Sequence, residues 1–520
     1  MTSHAKELLV LGLDGFDPEV AQQLMYAGEL PALARLQRSA HSFRIEPGIE
    51  KYTGLVWEQF CSALTPDQSR WSASILDTQR YVPTQPDTRL VPFTESLKAR
   101  TVVFDVPHFN LASSAQARGL VAWGSHDPGV APSSTPVELA GEIAQRFGPY
   151  PAEEFIYGHV WHDPRQAETM AEAMVKAVEL RSDITKWLFA ERFADWDLAI
   201  TVIAEYHSAT EALWHGWDET HPLHSKASAE PARAGLVGVY KAADRMLGRM
   251  LEEFADCAIL AFSPHGMGRN FADVPAMLLL PELIYRDCTG KIGFRADENW
   301  ALDGTAAPNL PVHEDWSTTV NKRINFEAKR TGWFRRAQPM AQKISLDWMP
   351  AARYRAAWPN MRAYATPAYY DGRVRVNLQG RESRGMVSIE NYPDVVDEID
   401  GLIRGCRDPL SGAPLDIEIE RRPGNPLTRD PSDADLIIRF NKDYYAFQSE
   451  RLGLIGPAPC RRPGGHTGGP GVGYFLPRRA GATTALGSFP AAEMSGAVSA
   501  LMGTNSAVCR LGTALLHVAK

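Results

Sequence analysis

A chain of 520 residues, 44% of them hydrophobic, can bury a sizeable core as one large domain or two medium ones. Its 54 basic against 62 acidic side chains leave a formal charge of −8, which speaks against a nucleic-acid polymer as partner but leaves small phosphorylated substrates open. No apolar run reaches the ~18–20 residues of a membrane span, and six scattered cysteines without a C-x-x-C pair speak against a disulfide framework or a cysteine zinc site and suit a reducing cytoplasm.

In chain order, Glu7-Leu-Leu-Val-Leu-Gly-Leu13 is a short continuous apolar run, the pattern of a parallel strand covered on both faces. It carries Asp14 at its end, unlike a secretory leader, so it reads as the first core strand. Asp17-Pro18 opens a helix, and Pro31 starts a second. Thr53 stands at or just before the helix that Leu55 to Leu64 predict. It reads either as an N-cap or as a hydroxyl turned to an anion or a reacting group at the positive helix end. Arg100 to Asp105 and Leu120 to Gly124 predict two more strands, and His126-Asp127 falls in the loop after the second. Thr135 with Pro136 reads as the N-cap and first position of a further helix, and residues 164–193 as a long one.

Leu198 to Tyr206 is again a short apolar, β-branched run, and His207-Ser-Ala-Thr-Glu211-Ala-Leu-Trp-His215 follows it. Helical spacing puts His207, Glu211 and His215 one turn apart on one face, where they make either a nitrogen and oxygen ligand set or an ordinary polar face. Pro231 to Phe254 predicts a helix, then Cys257 to Phe262 a strand with Ser263-Pro-His265-Gly266 at its end. Asp14, His207 and His265 thus each follow a buried strand, and open α/β sheets bind ligands beyond the carboxyl ends of their strands.

Residues 283–367 lose the strand-helix rhythm and gain Trp, Arg and Pro, the texture of an insertion or cap. Gly372 to Leu378 and Ala434 to Phe440 predict strands, and Pro393 to Arg407 a helix. In the glycine-rich loop Arg462 to Gly473, His466 is the side chain suited to a metal. The expected architecture is α/β, a mostly parallel central sheet with helices on both faces: residues 1–282 as the first part of the core, 283–367 as the cap and 368–520 as the second part.

Leu11-Gly-Leu-Asp14-Gly, Tyr52-Thr53 before a Trp-bearing helix, the His207 helix, Ser263-x-His265-Gly and Gly-Gly-His466, in that order, resemble the alkaline phosphatase superfamily. The closest branch in pattern is the type I phosphodiesterase/nucleotide pyrophosphatase enzymes. The resemblance implies two divalent ions, usually zinc, flanking a Thr or Ser nucleophile. Asp14, Thr53 and His265 would form one site, and His207, Glu211 and His466 the other. The chain departs from the family pattern at three ligands: His207 stands for Asp, Glu211 for His, and Pro264, which has no donor, for the Asp before the histidine. Glu205 is a candidate replacement for the missing carboxylate, and His215 a candidate supporting residue.

The function so implied is a metal-dependent hydrolysis of phosphate esters, of phosphodiesterase/pyrophosphatase type, with in-line attack by Thr53 and a phospho-enzyme intermediate. It expects a small phosphorylated substrate, no membrane span and a cytoplasmic setting, and is compatible with a homodimer. The alternatives are a group transferase, or a non-catalytic binding protein with a reduced metal site in which one ion or none is held. A sulfatase is the weaker alternative, because Thr53-Gly-Leu-Val-Trp does not match C/S-x-P-x-R. Arg375 and Arg381 are candidates to meet a phosphate, while the tryptophans of the cap, from Trp300 to Trp358, read better as packing residues.

Overall fold

The computed structural model describes residues 7–48, 50–86, 90–124, 132–155, 163–300, 302, 316–324, 343–479, 481–504 and 509–519. Among them the largest layer is a nine-stranded sheet built from both ends of the chain. Its strands stand in the order Ala485–Pro490, His41–Glu46, Pro470–Leu476, Ala258–His265, Leu8–Leu13, Leu198–Ile203, Thr101–Phe104, Ala117–Val121 and Ser133–Thr135. The five from Ala258–His265 to Ala117–Val121 run parallel. Pro470–Leu476 is antiparallel to both of its neighbours.

The apolar runs become strands because both faces of the sheet are covered. Successive side chains of a strand point to opposite faces. Leu9, Leu11 and Leu13 accordingly pack with residues of the helices Pro164–Lys186, Glu205–Trp217 and Ala229–Glu253. Leu8 and Val10 pack on the other side, with Val56–Ser62, Met494–Leu501 and Arg510–Val518. The mostly parallel sheet with helices on both faces is therefore present as the apolar runs predict. The turn Asp14 to Asp17 leads into the helix Pro18–Tyr26, whose N-cap Asp17 accepts hydrogen bonds from the Glu19 and Val20 amides.

A second sheet, entirely antiparallel, takes Ala363–Thr366, Gly372–Val376, Leu436–Phe440 and Ile417–Arg421 in that order. Its core joins Leu280, Leu283 and Ile284 with Trp358, Tyr364, Val374, Ile399 and Ile438. The boundary expected at 367 falls inside a hairpin, since Thr366 pairs with Arg373. The four strands between 363 and 440 thus form this smaller sheet, and among the described residues the large sheet takes only the last two strands of the 368–520 segment.

Two local expectations are also corrected. Thr135 does not cap a helix; it ends the edge strand Ser133–Thr135, held extended by pairing with Gly119, and the helix starts at Leu139. Arg375 and Arg381 do not face a phosphate site. They lie buried in the smaller sheet, Arg375 on Glu382 at 3.1 Å and Arg381 on Asp435 at 2.8 Å. Trp300, Trp316 and Trp358 are buried in that core, and Trp358 stacks on Tyr364 at 4.9 Å. Among the described residues no helix is long and apolar enough to cross a membrane.

Candidate active site at the strand ends

Three neighbouring parallel strands, Leu198–Ile203, Leu8–Leu13 and Ala258–His265, end side by side. Asp14 is the first residue past one and His265 the last of another. The third leads through Ala204 into the helix Glu205–Trp217, which carries His207 and Glu211. Gly15 lets the turn after Asp14 pass against that helix: its φ is +73°, and a Cβ there would stand 2.3 Å from the His207 Cα. The fourth contribution arrives from the opposite direction. Pro470 pairs with His265, so the loop before it delivers His466 to the same corner.

These placements bring five titratable side chains together, all buried. His207 Nδ1 lies 3.2 Å from an Asp14 carboxylate oxygen, and its Nε2 3.0 Å from His466 Nε2 and 3.4 Å from Glu211 Oε1. The His265 and His466 rings are 4.4 Å apart, and Tyr370 stacks on His466 at 3.9 Å. Burial alone would push the His207 imidazole down; Asp14 and Glu211 outweigh it and raise its pKa to about 10. Thr53 is buried as well. It closes the short helix Glu50–Thr53, and its Oγ1 accepts from the Leu55 amide at 3.1 Å. Four residues on, Trp57 Nε1 donates to Asp14 Oδ1 at 2.8 Å and ties the Thr53 segment to the cluster.

Other candidates are placed elsewhere. Glu205 does not turn to His265 or Asp14: both its oxygens take Arg181, which also bonds Asp105 at 2.8 Å, and Tyr150 donates to it. An arginine buried completely needs those carboxylates, which explains why Glu205 goes there. His215 lies two turns beyond His207 and bonds Ser228 at 3.2 Å. His126 and Asp127 lie outside the described residues.

The structure adds residues that motif reading passes over. Arg462, at the head of the His466 loop, pairs with Glu211 and, at 3.0 Å, with Asp273. Arg461 meets the same Asp273 at 2.5 Å. The two adjacent arginines are visible in the sequence ahead of Pro-Gly-Gly-His466, but Asp273 and Tyr370 carry no motif and reach the site only through the fold.

The implied pair of metal ions does not fit these residues. Pro264 brings no donor to the Asp14 and His265 position, and the Glu211 carboxylate is paired with a guanidinium. Among the described residues no three His, Cys, Asp or Glu side chains are posed around one point as a metal centre requires.

No family model and no curated protein matches the chain. Solved structures similar to it over nearly its whole length include a phosphonoacetate hydrolase from Sinorhizobium meliloti 1021 in complex with phosphonoformate, at 12% identity and a TM-score of 0.46, covering 96% of each chain. Human ectonucleotide pyrophosphatase/phosphodiesterase 5 is similar at 8% identity and a TM-score of 0.46, over 97% of this chain and 96% of that one.

Proposed function

We propose that the chain cleaves small phosphate esters, of phosphodiester or pyrophosphate type, at this cluster with Thr53 as nucleophile. One observation carries the reading: Asp14, His207, His265 and His466 meet at the carboxyl ends of adjacent parallel strands, with the Thr53 segment tied to Asp14 by Trp57. That is where open α/β sheets do their chemistry. Thr53 Oγ1 attacks phosphorus in line, its proton passes to a base of the cluster, and the ester oxygen leaves as an alcohol after taking up a proton. Water then opens the phosphothreonine.

Turnover of bis(4-nitrophenyl) phosphate by the full chain and by Thr53→Ala tests the assignment. The substitution is expected to cost at least about 100-fold in kcat. Full turnover in the variant removes Thr53 from the role.

A second reading, a binding protein that keeps the fold without the reaction, is favoured by the Arg462–Glu211 pair and by Pro264. It expects no turnover in the parent chain and saturable binding of the uncleaved diester.

A further inference from the structure

We infer that Arg462 is a built-in cation that keeps a divalent ion out of the position framed by His207, Glu211 and His466. His207 Nε2 lies 3.0 Å from His466 Nε2 and 3.4 Å from Glu211 Oε1, donors of the kind zinc takes, and the pull of Arg462 on Glu211 keeps the three from being posed around one point. Only Glu211 among the three brings negative charge, and Arg462 takes it.

The arginine is fixed rather than incidental. One edge of its guanidinium meets Glu211, and its Nε meets Asp273 at 3.0 Å, with the whole side chain buried. Arg461 shares Asp273 at 2.5 Å. Two guanidinium groups against two carboxylates make a neutral quartet. A dication added beside it would leave two charges uncompensated in a buried corner, and a guanidinium cannot relieve them by losing its proton. Lysine or histidine at 462 would lack one of these two properties, the double-edged fork or the permanent charge.

The inference concerns how many ions the chain holds and stands apart from the Thr53 assignment, because ions are counted without turnover. Zinc bound per chain is measured by mass spectrometry of the metal after equilibration with zinc and buffer exchange, and by calorimetric titration with zinc alone. Arg462→Gln is expected to bind one zinc ion more than the parent, and Arg462→Lys, which keeps the charge, to match the parent. Glu211→Gln is expected to keep the parent's count, because Glu211 serves Arg462 and not an ion. A parent chain that already holds two ions overturns the inference. So does an Arg462→Gln chain with the parent's count, or loss of an ion in Glu211→Gln. Circular dichroism melts identify a variant that does not fold; should Arg462→Gln be one, the Glu211→Gln count decides.

Discussion

Asp14 holds two distant parts of the chain at once, its Oδ1 taking the Trp57 indole N–H at 2.8 Å and its Oδ2 facing His207 at 3.2 Å. A hydrogen bond to a buried charged group is worth about 1.5–3 kcal/mol. Trp57→Phe, which removes the donor and part of the buried indole, is expected to lower stability by at least that amount in urea denaturation. His221 offers a second test at this scale. Burial, with Arg269 and His215 beside it, pushes its pKa down to about 3 from an ordinary 6.5. The unfolded chain therefore takes up a proton that the folded one refuses between those values. The stability this neutral ring supports is complete above pH 6.5 and is lost as the pH falls toward 3. His221→Asn retains an acceptor for the Leu223 amide. It is expected to flatten the loss of stability across that acid window while leaving melting above pH 7 little changed. Residues of the cluster were legible in sequence where they end an apolar strand, as Asp14 and His265 do. Arg462, Asp273 and Tyr370 were not, because an ion pair or a ring stack between remote segments leaves no periodic trace.

At the scale of elements, the helix Glu205–Trp217 is the part whose position decides the site. Its first residue is clamped by Arg181, whose Nε bonds Glu205 at 2.9 Å and whose terminal nitrogen bonds Asp105 at 2.8 Å. Asp105 in turn accepts the Trp123 and Gly124 amides, so one buried arginine fastens the helix to two strand ends. Arg181→Met leaves both carboxylates buried without their cation, at an expected cost of about 3–5 kcal/mol in guanidinium denaturation. The helices were readable from their spacing and caps, as the Asp17 cap of Pro18–Tyr26 illustrates. Thr135 misled because Thr-Pro fits a helix start equally well until Gly119 is known to pair with it.

For the whole molecule, the parallel sheet was legible because strands covered on both faces are written as unbroken apolar runs, Leu8–Leu13 and Leu198–Ile203 above all. The smaller sheet was not. Gly372 pairs with Ile438, and no local pattern announces a partner so far along the chain. The same difficulty hid the place of Pro470–Leu476, which lies between His41–Glu46 and Ala258–His265, two strands of the 1–282 segment. A chain ended at residue 460 would leave those two strands with bare edges, an arrangement that invites association. Such a fragment is expected to elute as aggregate in size-exclusion chromatography and to lack turnover. The order of translation acquires a meaning from this. Asp14 and His207 emerge from the ribosome long before the strand that brings His466 to them, so the corner they share stays open until Pro470–Leu476 is made. Completion of the sheet and delivery of His466 to that corner are then one event, made by a single strand.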